Sequence, residues 1–135
     1  MFLIFSKQVF VESMKDRVKV HAIRAGHGRG LQIGTKIHFW LGNPRCTTCK
    51  VRPRKFGTGE VSRVESIRMY FCRDWRDGAD LVEIGDGIVL KKMAELDALA
   101  VNEGFDDWVQ MRLWFDNVDR EYVGEIIFWK NCNWL

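Results

Sequence analysis

The chain has 135 residues, of which 47% are hydrophobic and 29% charged, with only 2 prolines and a formal net charge of +3. That composition suits a single folded domain spanning 1–135 and excludes a disordered or collagen-like chain. No apolar run approaches the roughly 18 residues that a membrane-spanning helix needs, so no membrane partner is expected.

Met1-Phe2-Leu3-Ile4-Phe5 is apolar but has neither a basic leader nor a small-residue cleavage site. It reads as a first strand rather than a signal peptide, which predicts a cytoplasmic protein with four reduced cysteines. The strand reading extends over Phe2–Val11, followed by a short turn or helix around Val11–Arg17 and a short strand within Val18–Arg24. Ala25–Gly30 is a glycine-rich loop, either a connection or a cradle of backbone N–H groups for a phosphate. Lys36–Leu41 is a strand closed by Gly42-Asn43-Pro44, and Arg45–Gly59 reads as a long basic loop. Glu60–Cys72, rich in β-branched and aromatic residues, predicts a long strand.

Leu81–Ile84 and Ile88–Leu90 flank Gly85-Asp86-Gly87, a hairpin signal. Met93, Leu96, Leu99 and Ala100 share one helix face, and Gly104 would end that helix in a left-handed cap. Phe105, Trp108, Val109, Met111 and Phe115 suggest a second helix. Tyr122–Trp129 is a final strand with Gly124 as a bulge or close-approach point. The sum is an α+β domain, a small curled sheet or barrel with two helices late in the chain.

Charge is unevenly distributed. Residues 1–75 carry a net +10 and residues 76–135 a net −7. Between Asp16 and Glu60 there is no acidic residue, while ten Lys/Arg and all three histidines, His21, His27 and His38, fall there. A field of one sign favours polyanions, nucleic acid above all, unless the acidic half folds over it.

Several residues invite chemistry. Lys19 and His21 share one strand face and need an anion or a carboxylate partner. Lys36-Ile37-His38-Phe39-Trp40 repeats the Lys-x-His theme, and cross-strand pairing would extend one cationic, aromatic wall. Glu103, just before Gly104, is a general acid/base candidate if a lysine meets it in a cleft, and otherwise a solvated helix end. Trp40 and Trp75 are the tryptophans expected at the surface for stacking, because basic residues neighbour them. Cys46-Thr47-Thr48-Cys49 is half of a zinc site, a redox pair or a set of incidental thiols. No complete metal-ligand set and no cofactor motif is present, so neither is expected.

The chain resembles the ASCH domain family of the PUA-like superfamily, including its phage-type members. The carriers are Lys19-Val20-His21-Ala22-Ile23-Arg24, Gly34–Arg45, Ala98–Phe105 and the closing strand Gly124–Trp129. The resemblance implies a PUA-like β-barrel whose cleft is lined by the Lys19–Arg24 strand and the helix carrying Glu103. It also implies RNA or modified nucleosides as ligands. One branch, the N4-acetylcytidine amidohydrolases, matches Lys19 to a lysine that activates a hydroxyl, Arg24 to an arginine and Glu103 to the proton-transferring carboxylate. This sequence departs from that branch at the nucleophilic threonine, which is Ala22 here, and a methyl group cannot attack a carbonyl.

The reading that follows is an RNA or modified-nucleoside binding module, with Arg24, Lys36, His38, Trp40 and Arg45 as ligand contacts. A second is an amidohydrolase on acylated cytidine, or a ribonuclease, using Lys19, Glu103 and His21 with an activated water. A third is a phage-type accessory protein that binds a host protein through its acidic half.

Overall fold

The computed structural model describes residues 1–26, 30–48, 50, 52–72, 79–115 and 121–135. In chain order the elements are β1 (Phe2–Phe5), α1 (Gln8–Lys15), β2 (His21–Arg24), β3 (Lys36–Leu41), β4 (Arg54–Tyr70), β5 (Leu81–Ile84), β6 (Ile88–Leu90), α2 (Met93–Glu103), α3 (Trp108–Phe115) and β7 (Glu121–Trp134). The α+β class holds. The strands form one seven-stranded sheet in the order β1-β3-β4-β5-β6, with β7 paired to β4 and β2 paired to β7.

Strand β4 is the spine. It pairs with β3 at its start, with β5 at its end and with β7 along most of its length. Period-2 alternation sends its side chains into two cores. One core, with Ile67, Met69, Leu96, Trp108 and Met111, lies under α2 and α3. The other, with Phe5, Phe10, Met14, Phe39 and Phe56, lies under α1. Short β2 stands at the seam, giving Ile23 to the first core and Ala22 to the second. Each large apolar side chain so buried contributes roughly 1.5–3 kcal/mol.

The sheet does not close into the expected barrel. Among the described residues β1 pairs only with β3, and β2 only with β7. A side chain spans the gap instead: Arg24 donates to the Ile4 carbonyl at 2.9 Å. The expected cationic wall of β2 against β3 is absent for the same reason, since β2 has β7 as its neighbour.

The two late helices are present as α2 and α3, and an early third, α1, precedes them. Phe10, Val11 and Met14 fall on one helical face and bury there, so the segment read as strand through Val11 turns helical at Gln8. The basic loop is shorter than expected because β4 begins at Arg54, and β7 runs on to Trp134. The hairpin of β5 and β6 and the Gly104 cap, at φ 103°, stand where the sequence placed them.

Most left-handed backbone positions are glycine. Among the described residues the two exceptions are Arg17, at φ 61°, and Asn131, at φ 51°. Arg17 sits where α1 ends, with Arg17 N–H donating to Met14 O at 3.0 Å and Val18 N–H to Ser13 O at 2.9 Å. That is a Schellman turn whose left-handed position is usually glycine. Asn131 occupies an extra residue of β7, because Thr58 opposes Asn133 while Glu60 opposes Lys130. Glycine usually takes that bulge position too. The left-handed conformation costs most L-residues about 1–2 kcal/mol, which applies to Arg17 more than to Asn131, since asparagine adopts it readily.

Gly124 is a close-approach point: a Cβ there would lie 2.6 Å from the Arg24 carbonyl oxygen. Backbone cannot yield as a flexible side chain does. Gly124→Ala is expected to destabilise the fold by about 1–3 kcal/mol in urea unfolding; a neutral substitution would contradict the tight β2–β7 contact.

Candidate functional site

The unclosed seam between β1 and β2 forms a cleft of about 200 Å³. Ile4 and Phe5 come from β1, Lys19 and Arg24 from β2 and its approach, Glu103 from the end of α2, and Trp114 and Phe115 from α3. The backbone brings α2 and β2 together, with Val20 N–H donating to Asn102 O at 2.9 Å. Gly104 makes room, since a Cβ there would stand 2.9 Å from Phe10 and 3.0 Å from the Lys19 stem.

At the base of the cleft lies a buried charged trio. Lys19, His21 and Glu103 are 2%, 2% and 3% exposed. The Lys19 ammonium lies 3.2 Å from Glu103 Oε1 and donates to the His21 carbonyl at 2.8 Å and to the Glu103 carbonyl. Its three N–H donors are therefore all engaged. Glu103 Oε1 also accepts from Ile23 N–H at 3.0 Å, and Oε2 lies 2.5 Å from His21 Nδ1. The expected carboxylate partner of Lys19 and His21 is Glu103, and the trio is a closed unit rather than a solvated helix end.

Burial pushes the Lys19 ammonium down to about 8, against the pull of the Glu103 carboxylate. For Glu103 burial acts upward, but Lys19, the His21 hydrogen bond and the Ile23 N–H outweigh it and hold the carboxyl below its ordinary value. Arg24 is lowered chiefly by burial. Its guanidinium lies 5.2 Å from the Phe5 ring and donates to Ile23 O and Ile4 O. Lys7 lies 5.0 Å over the indole of Trp114, which is 47% exposed at the cleft. The cleft thus combines cations with the aromatic rings that they lie over. Ala22 is fully buried among apolar neighbours, so no hydroxyl stands at that position.

Of the remaining predicted contacts, His38, Trp40 and Arg45 gather in a patch around Phe2. Lys36, His38 and Trp40 alternate along β3, opposite the buried Ile37 and Phe39. The Phe2 ring lies 5.9 Å from His38, 6.0 Å from Trp40 and 5.9 Å from the Arg45 guanidinium. Slight desolvation and the charges of Lys55, the N-terminus and Lys36 hold the His38 imidazole below its ordinary value, so it adds no cation at neutral pH. Arg45 lines a depression of about 400 Å³ with Met1, Phe2, Ile4 and Asn43. A second, of about 270 Å³, joins Phe2 and Ile4 to Arg24. Ile4 therefore borders the cleft and both depressions, which makes the patch continuous with the cleft.

Trp40 is half-buried rather than exposed, and its indole N–H is buried without a hydrogen-bond partner among the described residues. Trp114 is the exposed indole that the sequence reading missed. Its signal was available: Trp108, Met111 and Phe115 define the inner face of α3, and Trp114 falls off that face. Phe5, Phe10 and Phe105 were missed as cleft walls because they come from three distant segments.

Cys46 is disulfide-bonded, against the expectation of reduced thiols, so it is not available as a metal ligand. Cys49, Trp75, and His27 with the centre of the glycine-rich loop, lie outside the described residues. No cluster of three metal-ligating side chains occurs among the described residues, and none of their helices is long and apolar enough to cross a membrane. No family model, curated protein or solved structure matches this chain.

The trio couples stability to pH with a defined sign. Glu103 binds its proton less readily when folded, so its contribution is complete above about 4.5 and is lost as the pH falls through its folded value. Lys19 titrates at about 8 when folded and 10.5 ordinarily, so between those values the unfolded chain holds more protons and stability rises with pH. Urea unfolding of the wild type should show that alkaline rise, and Lys19→Met should lack it. Equal slopes in both proteins would mean that Lys19 is not buried as an ammonium.

Proposed function

We propose that the protein is a binding module for RNA or a modified nucleoside, with the seam cleft as its site. The observation that carries this reading is the division of labour among the charges. Lys19 and Glu103 spend their hydrogen-bonding capacity on each other and on the backbone, whereas Arg24, with two of its five donors on backbone carbonyls, and Trp114, with Lys7 over its ring, line the cleft. A base stacked on Trp114 with its phosphate near Arg24 satisfies both chemistries. Arg45 and Lys36 extend the same surface past Ile4 and Phe2. The resemblance to ASCH domains and the basic first half of the chain point the same way.

Hydrolysis of an N4-acylated cytidine is the second reading. A lysine titrating at about 8 and a close His21–Glu103 pair are groups that an acid/base catalyst needs. Against it stand the Ala22 methyl and the absence of a spare Lys19 donor for an oxyanion.

Binding to a short single-stranded RNA should weaken with salt at about one log–log unit per phosphate neutralised. Arg24→Ala should reduce that slope by about one, and Trp114→Ala should cost about 1–3 kcal/mol of affinity. Binding that ignores salt, or no binding, would overturn the reading. Incubation with N4-acetylcytidine should release no cytidine by chromatography. Release that Lys19→Ala and Glu103→Ala both abolish would establish the hydrolase reading instead.

A further inference from the structure

A second cavity, of about 480 Å³, opens between the end of α1 and the end of β7. The two left-handed residues that are not glycine, Arg17 and Asn131, both line it. They belong to unrelated elements, one a helix-ending turn and the other a β-bulge. Glycine would relieve the backbone most at Arg17, asparagine being the residue that best tolerates this region after glycine, and each position presents a polar side chain to the same cavity. Strain of this kind persists where the side chain it presents has a use.

The rest of the lining fits one kind of ligand. Trp129 and Trp134 supply half-buried indoles, Lys130 adds a second exposed cation beside Arg17, and Lys19, whose ammonium is held by Glu103, also lines the wall. The Arg17 guanidinium sits close enough to act on the Cys132 thiol, drawing it down while burial pushes it up by more. The Asn131 amide donates to Glu60 at 3.3 Å, which tethers it at the rim. No acidic residue lines the cavity itself among the described residues. Flat apolar faces next to two cations and an amide suit a small planar ring that bears an anionic group.

We infer that this cavity is a second ligand site, which takes a nucleoside monophosphate through Arg17 and Lys130 on the phosphate and Trp129 or Trp134 on the base. The inference does not rest on the proposed use of the seam cleft.

The test exploits the backbone. Arg17→Gly and Asn131→Gly remove the side chains while favouring the conformations already present, so each should keep or raise Tm, by up to about 2–5 °C. Calorimetric titration with adenosine 5′-monophosphate should show binding to the wild type, and weaker binding of adenosine and of inorganic phosphate. The double glycine variant should bind adenosine 5′-monophosphate at least tenfold more weakly, and Arg68→Ala, which removes a cation that lines neither cavity, should bind it as the wild type does. No binding to the wild type, undiminished binding to the double variant, or inorganic phosphate binding as well as the nucleotide would overturn the site. A fall in Tm for both glycine variants would overturn the strain argument behind it. Loss of binding in Arg24→Ala alone would assign the nucleotide to the seam cleft and refute the second site while leaving the cleft reading intact.

Discussion

The ion pair between Lys19 and Glu103, closed by His21, is the constraint on which the rest of this structure depends. Taking both charges out of water costs several kcal/mol per ion unless every donor and acceptor is matched. Here the matching is close to complete: the ammonium meets two backbone carbonyls and the carboxylate, and the carboxylate meets an imidazole and a backbone N–H. This satisfaction fixes where α2 must end, because Glu103 is its last residue and Gly104 turns the chain away without a Cβ to obstruct Lys19. It also fixes β2 against α2 rather than against β1, its neighbour across the seam. The open seam and the buried trio are thus two consequences of the same set of bonds.

An open seam is useful where a closed barrel would be filled. The edges of β1 and β2 leave polar backbone groups that the sheet does not satisfy, and Arg24 covers part of that deficit through Ile4. The same guanidinium, lying against Phe5, gives the cleft its positive charge. Function on this reading belongs to side chains at the rim, and the buried charges hold the rim in place. The trio is then a positioning unit, even though its residue types are those of an acid/base catalyst.

Local signals were legible where one short segment decided the outcome. Lys36–Leu41, the hairpin about Gly85-Asp86-Gly87 and the helix stopped by Gly104 needed only alternation, turn chemistry and a left-handed cap. Glu103 was legible as a partner for a lysine because a carboxylate before a helix-ending glycine is a recognisable placement. Pairing across the chain was not legible. Whether β2 meets β3 or β7 depends on contacts about a hundred residues apart, so the cationic wall was misjudged and the barrel was assumed closed. Helix α1 was misread because Val9-Phe10-Val11 has strand propensity, while burial at Phe10, Val11 and Met14 favours a helix. The left-handed Arg17 carried no sequence signal, since it is not the glycine that such a turn usually uses, whereas Asn131 is of a type that tolerates the region.

The central claim is that the charges of the trio support the cleft without taking part in ligand recognition. The direct measurement is the RNA affinity of the double variant Lys19→Met/Glu103→Gln, with circular dichroism and Tm to confirm that it is folded. Methionine keeps the length of the stem, and glutamine keeps a carbonyl for the Ile23 N–H. The account predicts that the folded double variant binds within about threefold of the wild type, a difference of about 0.7 kcal/mol. A folded double variant that no longer binds would contradict it and place the Lys19 and Glu103 charges in the recognition itself.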